Sequence, residues 1–118
     1  MTGIVVTHDG EIYTKDFQEP LHRSAGEIVG GLIEIVRPRR LGQPYIMITN
    51  EEFLLLELPL KPVGCYLYCT DEHGHPICGN IIIMKKQGEK IIDMDPKEQR
   101  VIIDYMKMIR GKGGPWPW

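Results

Sequence analysis

A chain of 118 residues with 42% hydrophobic and 25% charged side chains carries enough apolar material for one core and is short for two. Its formal net charge of -2 gives no global pull toward nucleic acid, so any such contact must come from a local patch. Met1 to Phe17 lacks the basic start and apolar centre of a secretory signal, no apolar run approaches the ~20 residues of a membrane helix, and three cysteines are an odd number, so reduced thiols in a cytoplasm and no membrane contact are expected.

The β-branched run Ile4-Val5-Val6-Thr7 predicts a strand, Asp9-Gly10 a two-residue hairpin turn, and the alternating Glu11 to Thr14 the return strand. Glu19 to Val29 predicts a helix: Pro20 suits its first turn, and Leu21, Ala25, Ile28 and Val29 share a face. Gly30-Gly31 should stop it, since glycine takes the left-handed cap conformation. Leu32 to Val36 and Tyr45 to Thr49 then read as strands paired across the basic loop Arg37 to Gly42. Phe53 to Leu58 is a short apolar run, and Pro59 and Pro62 exclude a continuous helix after it. Val63 to Cys69 has room for one or two helical turns, and Asp71 to His75 reads as a turn.

Ile77 to Lys85, centred on Ile81-Ile82-Ile83, predicts a buried strand, followed by a tight turn over Lys86 to Lys90 and a short edge strand at Ile91-Ile92. The last helix, Pro96 to Arg110, is the best signed. Asp95 is its N-cap, Pro96 its first residue, and Glu98 completes a capping box. Ile102, Tyr105, Met106 and Ile109 form one apolar face, and Gly111 is a natural stop. The expected architecture is an α+β domain over 1–111, a mostly antiparallel sheet with two helices on one face, then a flexible Trp/Pro tail over 112–118.

Several clusters carry chemistry. Arg37, Arg39 and Arg40 surround Pro38, and arginine forks suit phosphate or carboxylate, although such a run is also an ordinary solvated loop. Asn50, Glu51 and Glu52 follow a strand. They offer carboxylates for a hard cation or an acid/base pair, or simply a turn in which Asn50 takes a special backbone conformation and the glutamates face water. Cys65, Cys69, His73, His75 and Cys78 supply enough soft ligands for a tetrahedral zinc site, but the spacing is irregular and core thiols with turn histidines explain it as well. No metal and no cofactor is therefore expected. Trp116 and Trp118 alternate with prolines and either dock on their own domain or anchor a partner or a second copy. His8 and His22 are isolated, and no nucleophile with its base is legible, so an enzyme is not expected.

Val29 to Val36 (V-G-G-L-I-E-I-V), Asn50 to Tyr68 (N-E-E-F-L-L-L-E-L-P-L-K-P-V-G-C-Y-L-Y) and Pro76 to Met84 (P-I-C-G-N-I-I-I-M) together resemble a small uncharacterised domain that recurs in bacteriophages and conjugative elements of Firmicutes. The resemblance spans Gly3 to Met84 and implies a mobile-element context rather than an activity. The function expected from it is binding without turnover, namely counter-defence through direct inhibition of a host immune protein. The alternatives are a binder of a nucleotide or nucleic acid through Arg37–Arg40, including a signalling-nucleotide sponge, and a metal-dependent hydrolase built on Glu51, Glu52 and the histidine cluster.

Overall fold

Residues Ile81 to Met84 are buried one after another without alternation, as are Ile4 to Val6. A strand with one wet face alternates; a strand covered on both faces does not. The computed structural model, which describes residues 1–52, Leu67 and residues 79–111, shows the architecture that follows. The elements are β1 (Thr2–Val6), β2 (Ile12–Asp16), α1 (Leu21–Val29), β3 (Ile33–Val36), β4 (Tyr45–Asn50), β5 (Ile81–Gln87), β6 (Lys90–Ile92) and α2 (Pro96–Gly111).

The protein is a compact α+β domain. Its six strands form an antiparallel sheet in the order β2-β1-β5-β4-β3, with β6 paired to β5. β1 pairs with Ile81–Ile83 and β6 with Lys85–Gln87, so these two strands lie end to end along one side of β5. Asp93 joins their ends, its carboxylate accepting the Thr2 N–H at 2.8 Å and the Thr2 hydroxyl at 2.9 Å.

The two helices lie on opposite faces, not on one face as the sequence suggested. Ile4, Val6, Met47, Ile81 and Ile83 pack with Ile102, Met106 and Ile109 of α2 and with Leu67. Val5, Ile46, Ile48, Ile82 and Met84 pack with Ala25 and Val29 of α1 and with Phe17. The isoleucine runs of β1 and β5 present apolar groups to both sides, and each side needs its own cover.

The first hairpin also differs from expectation. Gly10 N–H donates to Thr7 O at 3.1 Å and Thr7 N–H to Glu11 O at 2.9 Å, which closes a three-residue loop, His8-Asp9-Gly10, with Gly10 at φ 94°. Pro20 sits at the N-cap of α1, one position before the first turn. At the other end Gly30 takes the left-handed conformation (φ 88°), and the N–H groups of Gly30 and Gly31 both donate to Gly26 O. The capping box of α2 forms as read: Glu98 N–H donates to Asp95 Oδ1 at 2.7 Å and Asp95 N–H to Glu98 Oε1 at 3.2 Å. The helix includes Gly111 instead of stopping before it. Leu67 is helical and buried. The rest of the expected helical turns at Val63 to Cys69, the apolar run Phe53 to Leu58, the turn Asp71 to His75, the start of the strand drawn from Ile77 and the tail over 112–118 lie outside the described residues.

Candidate functional site

β3 ends at Val36, which pairs with Met47, and the chain then turns outward as Arg37-Pro38-Arg39. Pro38 is buried, and its carbonyl accepts the N–H groups of Leu41 at 2.8 Å and Gly42 at 2.9 Å. Gly42 O in turn accepts Tyr45 N–H at 3.1 Å, so the loop is a chain of turns feeding into β4. Lys86 of β5 enters from the neighbouring strand. Its N–H donates to Pro44 O at 2.8 Å, one step beyond the Tyr45–Lys85 pair of the β4–β5 ladder. A pocket of about 560 Å3 lies between these segments, lined by Arg37, Arg39 and Lys86 with Pro38, Pro44 and Ile46 as apolar wall.

The electrostatics of this pocket are one-sided. Among the described residues three cations line it, and no carboxylate does. Among the described residues none of Arg37, Arg39 and Lys86 forms an ion pair. Two arginine forks and an ammonium with no internal counter-charge are a set of donors suited to an anion. Arg40 does not line the pocket. Its N–H donates to Leu67 O at 3.1 Å and its side chain is half-buried. The structure thus brings together two of the three arginines and adds a lysine whose approach no local spacing announces.

Lys85 shows why adjacent lysines part. Successive strand side chains face opposite ways. Lys85 points to the α2 face, where its Nζ lies 2.9 Å from Glu98 Oε2. Tyr45, its cross-strand partner, donates its hydroxyl to the same carboxylate. That hydrogen bond, with Lys85 and the Asp95 N–H, holds the Glu98 carboxyl below its ordinary range despite burial. Desolvation, reinforced by Glu98, pushes the Tyr45 phenol up to about 12. Lys90 lies in a separate groove with Glu89.

Asn50 is buried at the end of β4, in the strand itself and not in a special turn conformation. Its Nδ2 donates to Val29 O at 3.0 Å and its Oδ1 accepts Glu52 N–H at 2.7 Å. Glu51 and Glu52 are exposed, as the turn reading expected. Asn80, which sequence reasoning passed over, does the parallel job: its Nδ2 donates to Ile28 O at 2.9 Å and its Oδ1 accepts His8 N–H at 2.8 Å. Asn50 at the end of β4 and Asn80 just before β5 therefore satisfy the last carbonyls of α1. The only signal was a shared one: both asparagines and Gly30-Gly31 fall inside the segments on which the resemblance rests.

Cys65, Cys69, His73, His75 and Cys78 lie outside the described residues, as do Trp116 and Trp118. Among the described residues no group of three or more histidine, cysteine or acidic side chains is placed to hold a metal ion, and no helix is long and apolar enough to cross a membrane.

No curated protein and no solved structure matches the chain. A family profile does, over residues 1–110. With nearly all of its length covered, the chain belongs to the family described as domain of unknown function DUF3846.

Proposed function

We propose that this is a non-enzymatic binding protein that holds an anionic ligand in the pocket of Arg37, Arg39 and Lys86. The observation that carries the reading is the convergence of three cations without a carboxylate among the described lining residues. Arg37 and Arg39 are exposed and Lys86 is half-buried, so all three can reach an anion at the pocket mouth, where charge-assisted hydrogen bonds would hold it. The side chains at the pocket wall otherwise offer apolar surface and the Gln43 amide, which suit holding more than proton transfer.

The wider role is counter-defence on behalf of a phage or mobile element, and it rests on the resemblance of the glycine pair, the asparagine motif and the late isoleucine strand. The ligand is then a component of a host immune system: an acidic protein surface or a signalling nucleotide. Exposed Ile35, which shares with Ile33 the face of the sheet turned to α1, lies two residues from Arg37 and gives a protein partner an apolar contact beside the cations. The test is capture from a bacterial lysate by the parent chain and by the Arg37→Ala/Arg39→Ala/Lys86→Ala variant, with mass spectrometry of proteins and small molecules. An acidic protein or a phosphorylated compound retained by the parent and lost by the variant supports the reading. Identical retention by both removes the pocket as the site.

A further inference from the structure

We propose that the occupant of this pocket is a small nucleoside phosphate, with its phosphates against Arg37, Arg39 and Lys86 and its remainder against Pro38, Pro44 and Ile46. The inference rests on the anion-binding reading above and narrows it by size, by charge and by what lies next to the pocket.

Size favours an occupant larger than a bare anion. A volume of about 560 Å3 is far more than inorganic phosphate fills and falls within the ~300–1,000 Å3 typical of small-molecule sites. The wall combines three cations with two prolines and an isoleucine, the rest being glycines, Gln43 and Tyr45, so the site matches a ligand with one charged end and one weakly polar end. Three cations without a counter-ion favour a phosphate group of charge near -2 or a diphosphate over a single carboxylate.

The surroundings argue against a nucleic acid strand. A polymer needs a basic track that continues past the first contact. On the same face of the sheet, the next groove is lined by Met1, Glu19, Leu21, Glu89, Lys90 and Ile91, where Glu19 and Glu89 flank Lys90 and the Met1 ammonium is already engaged by Asp16 at 2.9 Å. Glu89 follows directly on Gly88, itself a lining residue of the cationic pocket. A phosphate backbone leaving the pocket on this side meets repulsion within a residue or two of chain. Among the described lining residues no aromatic ring is free for stacking a series of bases, because the Tyr45 hydroxyl is held by Glu98 on the far face.

The experiment is calorimetric titration of the full chain at low salt with pyrophosphate, with the four common ribonucleoside diphosphates, with adenosine and with a twelve-nucleotide single strand. At least one nucleoside diphosphate should bind about tenfold or more tightly than pyrophosphate, adenosine should not bind measurably, and the single strand should bind no better than the best mononucleotide. Arg37→Ala and Lys86→Ala should each weaken that nucleotide about tenfold or more while leaving the urea midpoint in place. Pyrophosphate binding as tightly as every nucleoside diphosphate would overturn the nucleotide assignment and leave the anion site standing. Tighter binding of the single strand would overturn it in favour of a polymer. No binding of any phosphate compound would sink both this assignment and the anion-binding reading.

Discussion

Asn50 and Asn80 show how single side chains join distant parts of this fold. Each donates an amide proton to one of the last carbonyls of α1 and accepts a backbone N–H near its own strand. Asn50 is fully buried, so removing its amide leaves the Val29 carbonyl without this partner in a dry site. Asn50→Ala should therefore cost about 1–3 kcal/mol, the usual penalty for orphaning a buried polar group, measurable as a lower urea midpoint. Asn50→Asp should be at least as harmful, because a carboxylate cannot donate to Val29 O and would be buried without a cation. A change within noise for both would mean that the carbonyl finds water. A turn after β4 with exposed glutamates was legible from the residue types, but Asn50 serves it from within the strand, through its side-chain bond to Glu52 N–H and not through a special backbone conformation. Its bond to Val29 was not, because it depends on the register that sets β4 beside the end of α1.

At the level of elements, local signals carried far and long-range ones did not. The capping box over Asp95 and Glu98, the glycine stop of α1 and the apolar face of α2 are written within a few residues each, and all three appear. The helices lie on opposite faces because Ile81 to Met84 is buried on both sides of the sheet, which the apolar run alone implies but does not assign to particular helices. An unbroken apolar run on a central strand implies cover on both. Ile102, buried on the α2 face, tests that layer: Ile102→Ala should destabilise by about 2–5 kcal/mol in urea unfolding, and an unchanged midpoint would mean α2 is not part of the core.

The Glu98 cluster gives the same layer a pH signature. Its carboxyl is held below the ordinary value of 4.5, so the native state favours the ionised form, and the stability this contributes is present above about pH 4.5 and lost as pH falls through the folded value. Tyr45, pushed up to about 12, works at the other end, its contribution lasting below its ordinary value of 10.0 and fading as pH rises toward 12. Glu98→Gln should lower stability near neutral pH and flatten the acid limb of the stability curve, as read by urea midpoints between about pH 3 and about pH 7. Parallel curves for parent and variant would mean that the Tyr45–Glu98–Lys85 contacts do not form in solution.

Across the whole molecule, the sheet keeps stability and binding on different side chains. Lys85 and Lys86 are neighbours in sequence, yet one ties β5 to α2 through Glu98 and the other faces the arginines of the β3–β4 loop. The basic loop was visible in the sequence as Arg37-Pro38-Arg39-Arg40, but its true composition was not. Arg40 does not line the pocket, its backbone N–H being bound to Leu67 O, and Lys86 joins from a strand nearly fifty residues later only because β4 and β5 pair in the register Tyr45–Lys85. The measurement that tests the central claim most directly is calorimetric titration of pyrophosphate into the parent and into Arg37→Ala/Arg39→Ala/Lys86→Ala at low and high salt, with urea unfolding of both as control. The account predicts binding by the parent that weakens with salt, loss of that binding in the variant, and nearly equal urea midpoints, because exposed cations contribute little to folding. Equal binding by the two proteins at either salt would contradict it.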